Sequence, residues 1–199
     1  MNVIWYTAMS MDGRIADAKD TLEFLDVIGG REDQEGQGGQ GGQEGQEGQE
    51  GKAEFPAFLA TIDAVIVGAS TLRWLLRGGH GWPHDDLPTW LVSHDSKLVA
   101  QIGPTRAPLR RVDGPLGPVF EEIERAGHKR VWLAGGGSVA GQALALDRID
   151  EVIATVAPTA LGAGPALFDA AALPQRRFRL AECAAIGGDA ARLRWIRER

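Results

Sequence analysis

The sequence predicts an α/β protein whose sheet is mostly parallel, covered by helices and closed by an antiparallel hairpin. Three observations carry this. Strand-like and helix-like segments alternate from Ala64 to Thr155, the pattern of parallel strands joined by helical crossovers. "AVIVGAS", Ala64 to Ser70, is a continuous apolar run, as suits a strand buried on both faces. The end of the chain, "FRLAECAAIGGDAARLRWIRE", reads as two alternating segments around Gly187-Gly188-Asp189, a hairpin signal.

The elements follow in order. "VIWYTAMSMDG" gives a strand over Val3 to Ala8, rich in β-branched and aromatic residues, that ends in a turn at Asp12-Gly13. "RIADAKDTLEFLDVIGG" is a loop and a short amphipathic piece. Phe55, Phe58, Leu59 and Ile62 fall at helical spacing. After the Ala64 to Ser70 strand, "TLRWLL" starts a helix at Thr71 with Ser70 or Thr71 as its cap. "RGGHGWPHDDLP" is loop by composition. "TWLVS", Thr89 to Ser93, is a short buried strand. A helix from about Gly117 to Ala126 is stopped by Gly127. "KRVWLAGGGSVAGQALALDRID" reads strand, glycine turn, helix, and "EVIATVAPTALGAG" reads strand, loop.

With 199 residues the chain is long enough for one domain with a substantial core. Its 27 acidic against 21 basic side chains leave a net charge of -6, which argues against a general affinity for nucleic-acid phosphates. Arg192, Arg194, Arg197 and Arg199 form a locally basic end, read as a solvated face. Cys183 is the one cysteine, so neither an internal disulfide nor a cysteine-cluster metal site is available. The N-terminus opens directly on a strand rather than on a signal peptide, and no apolar run reaches membrane-spanning length. The expectation is a cytoplasmic protein that engages no membrane.

"VWLAGGGSVAGQALA" is the most informative stretch. A buried strand runs into Gly135, Gly136 and Gly137, and a helix begins at about Ser138. Glycines let the backbone turn sharply and let a ligand approach it. A helix N-terminus presents unpaired N–H groups and partial positive charge, so the expected ligand is an anionic group such as a phosphate. No Lys-Ser or Lys-Thr follows the glycines, so this is not a P-loop. The spacing is also wrong for a dinucleotide fingerprint. Gly136 to Ala140 approaches G-x-S-x-G, but the last histidine, His128, precedes Ser138, so a hydrolase lacks its base. "VIVGAST" repeats the order of strand, glycine, small hydroxyl residues and helix. Two such strand ends in one sheet would grip two parts of an extended cofactor. Ser93 is a third contact, with His94 beside it.

Together, "AMSMDGRIA", "FLATIDAVIVGAST", "GWPHDDLPTWLVS", "VWLAGGGSVAGQAL" and "IDEVIATVAPTALGAGPALF" resemble the dihydrofolate reductase-like superfamily, in that family's order. The branch they resemble most is the reductase domain of bacterial riboflavin biosynthesis and its stand-alone relatives. The resemblance implies a three-layer αβα fold with a mixed sheet. It also implies a homodimer, NADPH as cofactor (with NADH not excluded), and hydride transfer to a small heterocyclic or sugar-derived substrate. By position it implies that Ala8 touches the nicotinamide side, and that Gly68, Ser70 and Thr71 lie at one cofactor phosphate. Gly135, Gly136, Gly137, Ser138 and Val139 would cradle the pyrophosphate, with Ser93 and His94 near the adenosine. Many members carry an arginine directly after the glycine that matches Gly68. This chain has Ala69 there, and Ala134 stands where the riboflavin enzymes place an acid.

Asp12 is the polar candidate for catalysis at the pocket mouth, although Asp-Gly is also a common turn pair. Asp26 and Trp82 are the candidates for substrate contact. His80 and His84, followed by Asp85 and Asp86, flank Gly81 and Pro83 and so share no helix face, and no metal site is expected. Trp5, Trp90 and Trp132 belong to the core, and Asp150-Glu151 to a structural strand start. The single domain covers residues 1–199, and 34–51 is a low-complexity Gly/Gln/Glu insertion in a loop. The insertion has no proline and no apolar residue, so it forms neither collagen nor a core of its own. Deleting residues 37–49 is therefore expected to leave cofactor affinity unchanged in a calorimetric titration. Loss of binding would make the tract part of the site.

Overall fold

The computed structural model describes residues 1–29, 54–79, 81–187 and 189–199. The Gly/Gln/Glu insertion, His80 and Gly188 lie outside the described residues. Eight strands form one sheet in the order β4-β3-β2-β5-β1-β6-β8-β7. They are β1 (Asn2–Ser10), β2 (Ala64–Gly68), β3 (Thr89–Val92), β4 (Leu109–Val112), β5 (Arg130–Gly135), β6 (Glu151–Ala157), β7 (Phe178–Ile186) and β8 (Ala190–Arg197). Every pairing from β4 across to β6 is parallel. β8 is antiparallel to both β6 and β7.

The helices are α1 (54–59), α2 (Ala69–Arg77), α3 (Gly117–Arg125) and α4 (Gly137–Ala145), with a 3-10 segment at Glu23–Gly29. They cover both faces at the centre of the sheet, so β2 and β5 bury both rows of side chains. On one face Val3, Trp5, Ile66 and Leu133 pack under Phe120 and Ile123 of α3 and Val139 and Ala143 of α4. On the other, Ile4, Val65, Val67 and Trp132 pack under Phe58, Leu72 of α2, Trp82 and Leu98. The period-2 alternation within each strand thus separates two cores, which gives the three layers.

Several boundaries differ from the sequence reading. β2 ends at Gly68, and α2 begins at once with Ala69. Its N-cap is Gly68, and neither Ser70 nor Thr71 caps it. α4 likewise begins one residue early, at Gly137. β4, "LRRV", carried no apolar signal because it is the sheet's edge. There Arg110 pairs with Glu122, and Arg111 donates to Ser93 O at 2.9 Å. Polar side chains on an edge strand discourage further pairing. The C-terminal arginines are not simply a solvated face. The Arg192 and Arg197 side chains are buried and paired with Glu54 and Asp147, while Arg194 holds buried Glu151 at 2.6 Å. Asp150 accepts the Val3 N–H at 2.9 Å and anchors the start of β1, the structural role expected of it. Among the described residues, no helix is long and apolar enough to cross a membrane.

Phe120 is fully buried between α3 and the sheet. Phe120→Ala is expected to cost about 3–5 kcal/mol, read from equilibrium urea unfolding.

Candidate functional site

A cavity of about 610 Å³ opens at the carboxyl ends of β2, β3, β4 and β5. This is where sheets of this kind bind ligands. Gly68, Ser70 and Thr71 line it from the start of α2, and Gly135, Gly136, Gly137, Ser138 and Val139 line it from the start of α4. Ser93 and His94 line it from the end of β3. The structure therefore brings together ten of the eleven residues assigned to the cofactor. Ala8, half-buried on β1 opposite Thr155, is not among the lining residues.

The two helix starts are alike. α2 is capped by Gly68 and α4 by Gly136, neither with a side-chain cap bond and neither with an acidic residue in its first turn. Their first-turn N–H groups thus have no carboxylate or hydroxyl of their own to satisfy them. Both positive helix ends meet at one cavity.

The three glycines at the start of α4 differ in what surrounds them. A Cβ on Gly135, at φ +143°, would collide with Thr71 Oγ1, and one on Gly137 with Ala166 O. Those two positions are closed by the protein itself. A Cβ on Gly136 would have Thr71 Oγ1 at 3.7 Å as its nearest neighbour, so Gly136 presents open backbone to the cavity. Gly68 is pressed from the other side, with Val139 Cγ2 at 3.0 Å and the Gly135–Gly136 backbone at 3.1 Å from a Cβ built there.

The remaining walls were not legible as site residues. Arg73 and Trp74 come from α2, Asp95 follows β3, and Gln142 comes from α4. Ile15, Ala16 and Leu22 come from the segment after β1, while Pro165 and Asp169 come from the loop after β6. That loop is tied down on several sides. Ile15 N–H donates to Pro165 O at 3.0 Å, Leu167 N–H to Gly13 O at 2.9 Å, and Asp169 N–H to Gly137 O at 3.0 Å. Trp5 is core as expected, yet it also reaches the cavity wall.

Asp12 belongs to this tie and not to the lining. Its carboxylate accepts the Ser10 hydroxyl at 2.6 Å, Leu161 N–H at 3.0 Å and Gly162 N–H at 2.7 Å. The Ser10 hydroxyl first, and then the two backbone N–H groups, lower its pKa to about 2. A carboxyl held ionised in this way is a poor proton donor, so the geometry makes Asp12 a loop clasp rather than a catalyst. Asp26 is exposed on the 3-10 segment, away from the cavity. Trp82 is buried in the core beneath α2, edge-on to His84 at 5.2 Å. His84 sits among the Phe55, Trp82 and Trp132 rings, and burial lowers its pKa. Among the described residues, no cluster of three or more His, Cys, Asp or Glu is placed to hold a metal ion. Ser138 makes no hydrogen bond to a histidine among the described residues. His94 Nδ1 instead faces Asp113 Oδ1 at 2.6 Å.

Comparison with known proteins places this geometry. The RibD C-terminal domain family matches residues 1–191. A Bacillus subtilis (strain 168) protein, uncharacterized protein YwjB, is 26% identical over 171 residues, which cover 83% of this chain and 81% of that one. A crystal structure from Shewanella sp. PV-4, provisionally named a riboflavin biosynthesis protein, superposes with a TM-score of 0.75 at 22% identity over 100% of both chains. A pyrimidine reductase-like protein of Corynebacterium diphtheriae gives 0.64 at 18% identity over 100% of this chain and 92% of its own. RibD of Acinetobacter baumannii gives 0.61 at 19% identity, over 99% of this chain and 58% of its own. At these identities the structural matches speak for the fold alone.

Replacing Asp12 tests its role as clasp. Its folded pKa lies below the ordinary carboxyl value of about 3.9. Its contribution is therefore fully present above that value and lost as pH falls through about 2. Asp12→Asn is expected to lower Tm at pH 7, with the gap to the parent closing below about pH 4, followed by circular dichroism.

Proposed function

The chain belongs to the RibD C-terminal domain family, and from that premise we propose that it is a reductase of a pyrimidine-like small molecule, drawing its hydride from a reduced nicotinamide dinucleotide. The observation that carries the reading is the meeting at one cavity of two helix N-termini that have no side-chain cap bond. A pyrophosphate is a two-part anion of the size that two adjacent helix ends can share. The residues fit such a group. Gly136 leaves backbone open, and Ser70, Thr71 and Ser138 add hydroxyls at the helix starts. No basic side chain is needed to hold it.

When bound, the dinucleotide supplies the hydride. This chain's own residues bind, orient and shield. The first-turn N–H groups of α2 and α4 fix the phosphates. Trp5, Ile15, Ala16 and Pro165 form the enclosed side of the cavity toward β1 and exclude water there. The Asp12 clasp and the Gly137–Asp169 backbone bond hold that side in place. NADPH is the coenzyme that the family resemblance implies.

A second reading, a dinucleotide-binding protein without efficient turnover, is favoured by one observation. Asp12, the acidic residue that the sequence offers as the catalyst, is fully engaged in the clasp and does not line the cavity. Oxidation of the coenzyme in the presence of an aminopyrimidine or other pyrimidine substrate separates the two readings.

Binding is tested first. Ligand at about 100 times Kd contributes about 2.7 kcal/mol, which for a chain of this length corresponds to about 5–10 °C in Tm. NADH or NADPH at millimolar concentration is expected to raise Tm by that order. The absence of any shift with either would remove the reading.

A further inference from the structure

We infer that Trp74 is the surface on which the planar ring of the substrate stacks, so that the protein recognises a pyrimidine-like heterocycle by its aromatic face at the mouth of the cavity. The inference rests on the coenzyme reading above and deepens it by naming a residue that holds the second reactant.

The chain has six tryptophans. Trp5 and Trp90 belong to the core under α3 and α4, and Trp195 packs against it. Trp82 and Trp132 belong to the core under α2. Trp74 belongs to neither, although Leu72, Leu75 and Leu76 around it on α2 all pack into the second core. It is half-buried and lines the cavity. Among the described residues it pairs with no other aromatic ring, and no guanidinium lies over it. Of the two tryptophans on the cavity walls, Trp5 is 1% exposed and offers a ligand little surface. The accessible indole is that of Trp74, and aromatic walls of this kind are what ligand cavities use to hold planar groups.

Helix geometry decides which end of the cavity Trp74 serves. At about 100° per residue, it falls nearly opposite buried Leu72 and shares a side with Thr71, one turn earlier. Thr71 stands against the end of β5, since a Cβ on Gly135 would collide with its Oγ1. Arg73 points the other way, its Nη2 donating to Asp95 Oδ2 at 3.2 Å in the turn after β3. Trp74 therefore belongs to the β5 side of the mouth, next to β1. Long side chains on a helix lean back toward its N-terminus, which carries the indole toward the start of α2. Hydride transfer needs a water-excluded place, and the walls toward β1, Trp5, Ile15, Ala16 and Pro165, are apolar.

The second reactant has to reach that place from the mouth, past Trp74. A heteroaromatic ring laid on an indole face sheds water from both surfaces and gains dispersion, whatever its substituents. The edge of the ring is read by other groups. Asp20 lines the cavity from the segment that also supplies Ala16 and Leu22, and a carboxylate accepts from ring N–H or amino groups. A stacking face with an acceptor near it suits a uracil or an aminopyrimidine. An open-chain sugar has no planar face to offer.

Titration of the full-length protein saturated with NADP+, which binds without turnover, tests the inference. Uracil is the planar probe, and 5,6-dihydrouracil is the control, with the same carbonyl and N–H edge on a puckered ring. Uracil is expected to bind the parent more tightly than dihydrouracil and to quench part of the tryptophan fluorescence. Trp74→Ala is expected to weaken uracil by about tenfold, to remove that quenching, and to leave NADP+ and dihydrouracil nearly unchanged. Trp74→Phe keeps an aromatic face and is expected to restore most of the uracil affinity. Equal uracil binding by the parent and Trp74→Ala, with the fold intact by circular dichroism, would overturn the inference and leave the coenzyme reading standing. So would the absence of uracil binding to the NADP+-saturated parent. A loss of NADP+ affinity in Trp74→Ala as large as the loss for uracil would also overturn it, by assigning the indole to the coenzyme. Failure of both NADP+ and NADPH to bind the parent would overturn the coenzyme reading itself, and this inference with it.

Discussion

There is no room for a side chain where β2 and β5 end. Gly68 is pressed between Val139 and the Gly135–Gly136 backbone, Gly135 lies beneath Thr71, and Gly137 abuts Ala166. This close approach lets α2 and α4 start within a residue of their strands' ends. Had larger residues stood there, the strand ends would be pushed apart and each helix would begin after a longer loop. The two N-termini would then no longer meet. The meeting of the two helix N-termini is thus a consequence of backbone packing, and of these four glycines Gly136 is the one left open toward the cavity.

The wall opposite those helix ends is assembled from chain segments about 150 residues apart. Asp12 reaches Leu161 and Gly162, Arg14 donates to Gly164 O at 2.9 Å, and Ile15 pairs with Pro165. Gly164, at φ +119°, passes so close to Ala16 O that a Cβ there would collide with it. The loop after β6 is therefore held as firmly as a strand without being one. It closes the β1 side of the cavity over Trp5. These polar ties act together with Leu167 and Phe168 of the same loop, which pack against the core.

The sequence made the centre of this molecule legible and its periphery less so. β2, β5 and the two glycine turns stand out because residues buried on both faces leave an unbroken apolar record. Their helices were placed to within two residues, and at α2 the error arises because Ser70 and Thr71 suggested a side-chain cap where Gly68 is the N-cap. β4 was missed because an edge strand carrying Arg110 and Arg111 obeys no apolar pattern. Arg192 and Arg197 read as surface because their partners, Glu54 and Asp147, are distant in sequence. The same limit applies at the site. Ser93 and His94 were found because they follow a strand, whereas Asp95 and Arg73 acquire meaning only as a pair 22 residues apart. Asp12 was ambiguous between turn and catalyst, and only the hydrogen bonds to Leu161 and Gly162 decide it.

A cavity with a positive floor and a rim of paired charges follows from these features. The floor is positive through backbone dipoles, which are fixed by the helices and carry no counter-ion of their own. At the rim, Arg73 pairs with Asp95, and His94 and Arg111 pair with Asp113. On the proposed reading, such a division lets affinity for a pyrophosphate and discrimination among its bearers be set by separate groups. The first is written into the fold, through glycines that packing already demands. The second lies in a few exposed side chains around the ends of β3 and α2, which can change without disturbing either core.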